Sequence, residues 1–123
     1  MSAHPPTPEV LAAIARFLRD QVAPTLKDDL AFNMRVTLGA LELVRREIEQ
    51  AESADAREHQ RLVDLMGEGE LAALREALCD RIAAGKLTLD DPALAAHLRA
   101  TAIDRLAIDQ PSYSAYLAAK KRD

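Results

Sequence analysis

Apolar residues recur at steps of three and four along most of this chain, the spacing that sets side chains on one face of an α-helix. Leu11, Ile14, Ala15, Leu18 and Val22 form the first stripe, widened by Val10 and Phe17, with Arg16, Arg19 and Asp20 left for solvent. Thr7 is placed to cap this helix, Pro8 to open it and Glu9 to meet the positive end of its dipole. The helix is predicted to run to about Gln21, because Pro24 can neither donate a backbone hydrogen bond nor fit against the preceding turn.

The next segment, from Asp28 or Asp29 to about Ala51, carries apolar residues on two sides. Leu30, Met34, Thr37, Leu41, Val44 and Ile48 make one stripe, of which Leu30, Met34, Leu41, Val44 and Ile48 are the predicted core face. Phe32, Val36, Gly39, Ala40 and Leu43 make a second, displaced by two residues and so about 200° around the helix. A surface helix needs one stripe. Two mean either a helix at the centre of a bundle or one with a face in the core and a face against a partner, which makes Phe32, Val36 and Leu43 the candidate interface. Asn33 and Glu47 fall between or beside the stripes as candidate polar contacts, and Arg35 projects toward Glu42 and Glu49 as a solvent-side ion pair.

Glu52 to Glu58 is polar and reads as a turn, followed by a short helix with Leu62, Val63 and Met66 that ends at Gly67. A further helix begins near Glu70, with Leu71, Leu74, Leu78 and Ile82 facing a core and Gly85 at its left-handed end. Asp91 and Pro92 repeat the cap-then-proline signature and open a helix with Leu94, Leu98, Ala102 and Leu106 inward, closing before Pro111. Tyr113 to Ala119 adds a last turn. The expectation is an all-α fold, a single compact bundle of about five helices in one domain over residues 1–123, frayed at 1–6 and 118–123. Ala and Leu supply about a third of the 123 residues, which agrees, since both enter helices at little cost.

A formal charge of −4 gives no field suited to nucleic-acid phosphates, and the one basic cluster, Lys120, Lys121 and Arg122, reads as a solvated tail. No stretch has the length and apolarity of a membrane span or the pattern of a signal peptide. The single Cys79 rules out an intrachain disulfide and fits a reducing, cytoplasmic setting, where a thiol at the edge of a leucine stripe acts as a small hydrophobe. His97, Thr101 and Asp104 align on one face of their helix, away from its leucines. Seven residues separate His97 from Asp104 by about 10 Å, too far for a direct bond, so the solvated face of a surface helix is the expectation. His4 and His59 lack ligand spacing to another His or Cys. No phosphate loop, nucleophile elbow, zinc or calcium motif is present, so no metal, cofactor or catalytic residue is assigned.

Two stretches, Leu30 to Glu47 (LAFNMRVTLGALELVRRE) and Leu94 to Tyr113 (LAAHLRATAIDRLAIDQPSY), together with PPTPEVLAAIARFL near the start, carry a resemblance. They resemble a family of small helical bacterial proteins encoded beside aminoglycoside-phosphotransferase-like kinases and acyl-CoA dehydrogenases. The chain is similar to the accessory subunit of the 4-hydroxyacyl-CoA kinase of levulinate catabolism. Phe32, Arg35, Val36, Arg46, Glu47, Leu106, Ala107, Ile108, Asp109 and Pro111 carry the match; Gly39 departs from it, standing where Asn is expected. The resemblance implies a kinase partner and no catalytic residue in this chain. The functional expectation is therefore a non-catalytic accessory subunit that binds a phosphotransferase-fold kinase acting on hydroxyacyl-CoA compounds. The alternative is a homo-oligomeric helical bundle, a homodimer for example, that holds a small apolar or acyl ligand; an enzyme using His97 and Asp104 comes third.

Overall fold

The computed structural model describes residues 5–122. His4 and the outermost residues expected to fray, 1–4 and 123, lie outside the described residues. All regular structure among them is helical: α1 (Thr7–Phe17), α2 (Asp28–Met66), α3 (Leu71–Ala83), α4 (Pro92–Asp109) and α5 (Ser114–Arg122). The contacts divide the chain into two units, Met1–Ala51 and Glu52–Asp123, with α2 running unbroken through the boundary.

In the first unit α1 opens one residue earlier than predicted, with Pro6 at the cap position; the Pro6 carbonyl accepts from the amides of Glu9 (2.9 Å) and Val10 (3.1 Å). The helix then widens into a π turn over Leu18–Val22 and tightens into a 3₁₀ turn over Ala23–Thr25. Pro24 accounts for both, since its ring crowds the carbonyl four residues back and it has no N–H to give. Ala15 is buried, and Leu11, Leu18 and Val22 are half-buried as expected, while Ile14 and Phe17 face outward.

The predicted core face of α2 is corrected. Leu30 is 63% exposed, with Val44 at 47% and Ile48 at 45%. Met34 and Leu41 of that face are half-buried as expected, and they share their covered stripe with Ala31, Leu38 and Arg45 in place of Leu30, Val44 and Ile48.

The predicted turn at Glu52–Glu58 is also overturned, because α2 is one helix of 39 residues. Ala51, Glu52, Ala54, Ala56, Arg57 and Glu58 are strong helix formers, and no Gly or Pro interrupts them. Loss of the apolar stripe there marks a change of surroundings rather than a helix end. The end comes at Gly67, whose φ of +99° only glycine adopts freely and whose amide donates to the Val63 carbonyl at 2.8 Å.

The second unit holds the clearest core, Leu62 from α2, Leu74 and Leu78 from α3, and Leu94 from α4, with Val63, Met66, Leu71 and Leu87 against them. α3 ends in a Schellman turn: Gly85, at φ +75°, donates to the Ile82 carbonyl (3.1 Å), and Lys86 donates to that of Arg81 (2.9 Å). The Asp91 side chain caps α4 by accepting from the Ala93 amide at 3.0 Å. α5, which packs on α4, is longer than the single turn predicted and carries Lys120, Lys121 and Arg122 in its last turn rather than in a loose tail. The number of α-helices matches the expectation through two opposing differences, the fusion of the predicted second and third helices and the gain of α5.

Because Leu62 is wholly buried and Leu30 is exposed, Leu62→Ala should lower stability by roughly 2–5 kcal/mol, whereas Leu30→Ala should change it by less than about 1 kcal/mol. Urea unfolding of the two variants side by side measures the difference; equal losses would place the core elsewhere.

Candidate functional site

The inward face of α4 keeps Leu94 of the leucine stripe read from the sequence and then departs from it. Leu98 and Ala102 are exposed, and the covered line is Leu94, His97, Thr101, Asp104 and Ile108. This corrects the solvated placement of His97, which is only 3% exposed. The helix presents a polar middle between two apolar ends, and buried polar groups require partners.

Those partners come from the part of α2 that the sequence read as a turn and its sequel. The Arg61 Nε–H donates to His97 Nδ1 at 3.1 Å, and Arg61 Nη2 donates to Thr101 Oγ1 at 3.0 Å. One turn earlier, Arg57 grips Asp104 through Nε to Oδ2 (3.3 Å) and Nη2 to Oδ1 (3.1 Å). Thus Asp104 answers Arg57 and not His97, and the two residues singled out together belong to successive rungs of a ladder between α2 and α4. Every fully buried side-chain nitrogen and oxygen among the described residues has a hydrogen-bond partner.

A donor at Nδ1 fixes the imidazole as neutral with its proton on Nε2. Burial, followed by the charge of Arg61, holds the His97 pKa below its ordinary value, with Glu58 pulling weakly the other way. Glu58 itself is bound by Arg75 of α3, Nε to Oε2 at 3.0 Å, and that hydrogen bond keeps its carboxyl below the usual range against the opposing effect of burial. With its Nδ1 lone pair committed, His97 is poorly placed as a general base through that nitrogen. Of the other two histidines, His59 Nε2 donates to the Gly69 carbonyl at 2.7 Å, closing the α2–α3 connection, and His4 is outside the described residues.

The remaining candidates lie in the first unit. Phe32 and Val36 are 58% and 57% exposed, and Leu43 is 37% exposed. Asn33 is exposed, and its backbone carbonyl accepts from the Thr37 hydroxyl at 2.8 Å. Arg35 does not pair with Glu42 and Glu49 as predicted; both are taken by Arg45, and the Arg35 guanidinium sits 5.9 Å from the centre of the Phe32 ring. Glu47 is half-buried, and Cys79 is exposed rather than tucked against the leucines. No group of three or more metal-ligating side chains occurs among the described residues, and no helix there is long and apolar enough to cross a membrane.

A model for a domain of unknown function (DUF6285) matches residues 24–113. The chain belongs to this family. The DUF6285 match spans α2, α3 and α4, and so contains both the Arg61–His97 ladder and the exposed Phe32, Val36 and Leu43. No curated protein and no solved structure matches the chain.

Arg57, Arg61, Glu58 and Arg75 were missed by sequence reasoning. Arg57 and Arg61 stand at i and i+4 and signal a shared helical face once the helix is known to continue through them.

The titration of His97 has a defined sign. An unfolded chain takes up this proton below about pH 6.5, but the folded chain does so only at lower pH, so between the two values the unfolded state binds more protons and stability falls with falling pH. The Glu58 contribution is present above about pH 4.5 and is lost below it, a separate window. His97→Asn, which keeps an acceptor for Arg61 near the position of Nδ1, should remove the part of the decline that begins near pH 6.5. Thermal melts of both proteins from pH 8 to pH 5 measure this; parallel curves would show that His97 does not titrate with folding.

Proposed function

We propose that this protein is a non-catalytic subunit whose first unit docks onto a kinase of the aminoglycoside-phosphotransferase type that acts on hydroxyacyl-CoA compounds. The observation that carries the reading is the exposed apolar surface of α2, where Phe32, Val36 and Leu43 on one side join Leu30, Val44 and Ile48 on the other. Each such side chain, about half exposed, forgoes part of the roughly 1.5–3 kcal/mol that full burial contributes, so together they favour a covering protein over solvent. The nature of the partner follows from the resemblance of Leu30 to Glu47 and Leu94 to Tyr113 to kinase-associated proteins. The state of the polar groups supports a non-catalytic role, since His97 Nδ1 is bound to Arg61 and Asp104 to Arg57. A cytoplasmic setting suits the single, exposed thiol of Cys79.

A second reading, a homo-oligomer that holds a small apolar or acyl ligand, is favoured by a hollow of about 520 Å³ beside α1, whose lining includes Pro5, Val10, Ala13 and Ile14.

Co-expression with an aminoglycoside-phosphotransferase-like kinase of the kind the resemblance implies, followed by size-exclusion chromatography, should give one complex. Val36→Glu should abolish that complex and leave helicity by circular dichroism unchanged, because the new carboxylate sits on an exposed face and not in a core. A homo-oligomer that ignores the kinase selects the second reading, and a monomer that ignores it defeats both.

A further inference from the structure

Arg61 differs from the arginines of the second unit that hold carboxylates. Arg57, Arg75 and Arg105 each grip a carboxylate, on Asp104, Glu58 and Asp109 respectively. The hydrogen bonds of Arg61 go to a neutral imidazole and a neutral hydroxyl. Two neutral acceptors from α4 fix the plane of this half-buried guanidinium without cancelling its charge. Glu58 lies close enough to feel Arg61, but its oxygens are held by Arg75.

Two hollows adjoin this guanidinium, and they differ in charge. One, of about 270 Å³, sets Arg61 against the carboxylate of Asp64. The other, of about 300 Å³, is lined by Arg57, Arg61 and Arg99, with Asp104, which holds Arg57, as its one carboxylate, so its lining is the more basic of the two. Its floor is made by Ala96, Ala100 and Ile103 of α4. Arg61 has further N–H groups beyond the two engaged by His97 and Thr101, and planar guanidinium donors match the oxygens of a phosphate or carboxylate.

We propose that this hollow between α2 and α4 binds a small organic anion, a phosphate monoester or a carboxylate with a short apolar stem, with Arg61 as its anchor and His97 and Thr101 as the residues that position the anchor. The anionic head meets Arg61 and the stem lies along Ala96, Ala100 and Ile103, which admits a chain of a few carbons. Asp104 opposes the anion by its charge and by holding Arg57. His97 acts as a neutral acceptor, the form its burial enforces, since a protonated ring would push Arg61 away. The site is complete within the second unit and needs no partner protein.

The test uses the full chain and two probes, methyl phosphate and propionate, titrated by NMR at constant ionic strength against chloride. Saturable shifts centred on Arg61, His97 and Thr101 are expected with at least one probe, and the probe that binds more tightly identifies the head group. Arg61→Gln should weaken binding about tenfold. Asp104→Asn should tighten it about threefold, a gain that loss of structure does not mimic and that decides the matter if Arg61→Gln fails to fold. Bound anion should also raise the pKa of His97 by screening Arg61. Linear shifts with both probes, equal responses in a folded Arg61→Gln protein, or no tightening in Asp104→Asn would each overturn the proposal.

Discussion

A guanidinium set between two helices cannot shed its charge, so the helices must be arranged around it. Arg61 is met by His97 and Thr101, and those two contacts dictate which face of α4 turns inward. Once that face is fixed, Leu94 comes to lie in the core with Leu62, Leu74 and Leu78, Asp104 comes within reach of Arg57, and Leu98 is turned out. A hydrophobic rule alone would have chosen the leucines, as the sequence reading did. The polar rungs prevail because a buried donor or acceptor without a partner costs on the order of 1–3 kcal/mol, while a half-exposed leucine forgoes less than its full burial.

The two units use their sequences differently. In the second, besides the local pair of Arg105 and Asp109, charged groups pair across helices: Arg57 with Asp104, and Arg75 with Glu58 and Asp55. In the first, Arg45 satisfies Glu42 and Glu49 along its own helix, and the large apolar side chains are spread over both α1 and α2. Local ion pairs of that kind contribute only a few tenths of a kcal/mol and leave the apolar surface to be covered by other means.

Helix content was legible in the sequence because it rests on local chemistry. Asp91 with Pro92, Gly67 and Gly85 each mark a boundary through a backbone preference that no tertiary contact overrides. The continuity of α2 was not legible from hydrophobic spacing, since Glu52 to Glu58 contributes no apolar face, although its alanines and glutamates argued for helix all along. The candidate site was legible only in part. His97, Thr101 and Asp104 were seen to share a face, but whether that face meets water or another helix depends on Arg57 and Arg61, which lie about forty residues away in the chain. Of the two stripes read along the first half of α2, the more covered line keeps Met34 and Leu41 of the first and adds Leu38, while Leu30, Val44 and Ile48 turn outward.

The ladder between α2 and α4 also acts as a key for alignment. Leucines are interchangeable, and a slip of α4 by one helical turn would still set apolar side chains against Leu62. Such a slip in one direction brings Arg57 opposite Ile108 and Arg61 opposite Thr101 and Arg105, and in the other it brings Arg57 opposite Ala100 and Arg61 opposite Ala93 and His97. Either arrangement leaves Arg57 without its carboxylate and Arg61 with one of its two acceptors. The polar rungs therefore add little to the depth of the energy minimum and much to its uniqueness, in the way a single buried polar residue sets the register of a coiled coil.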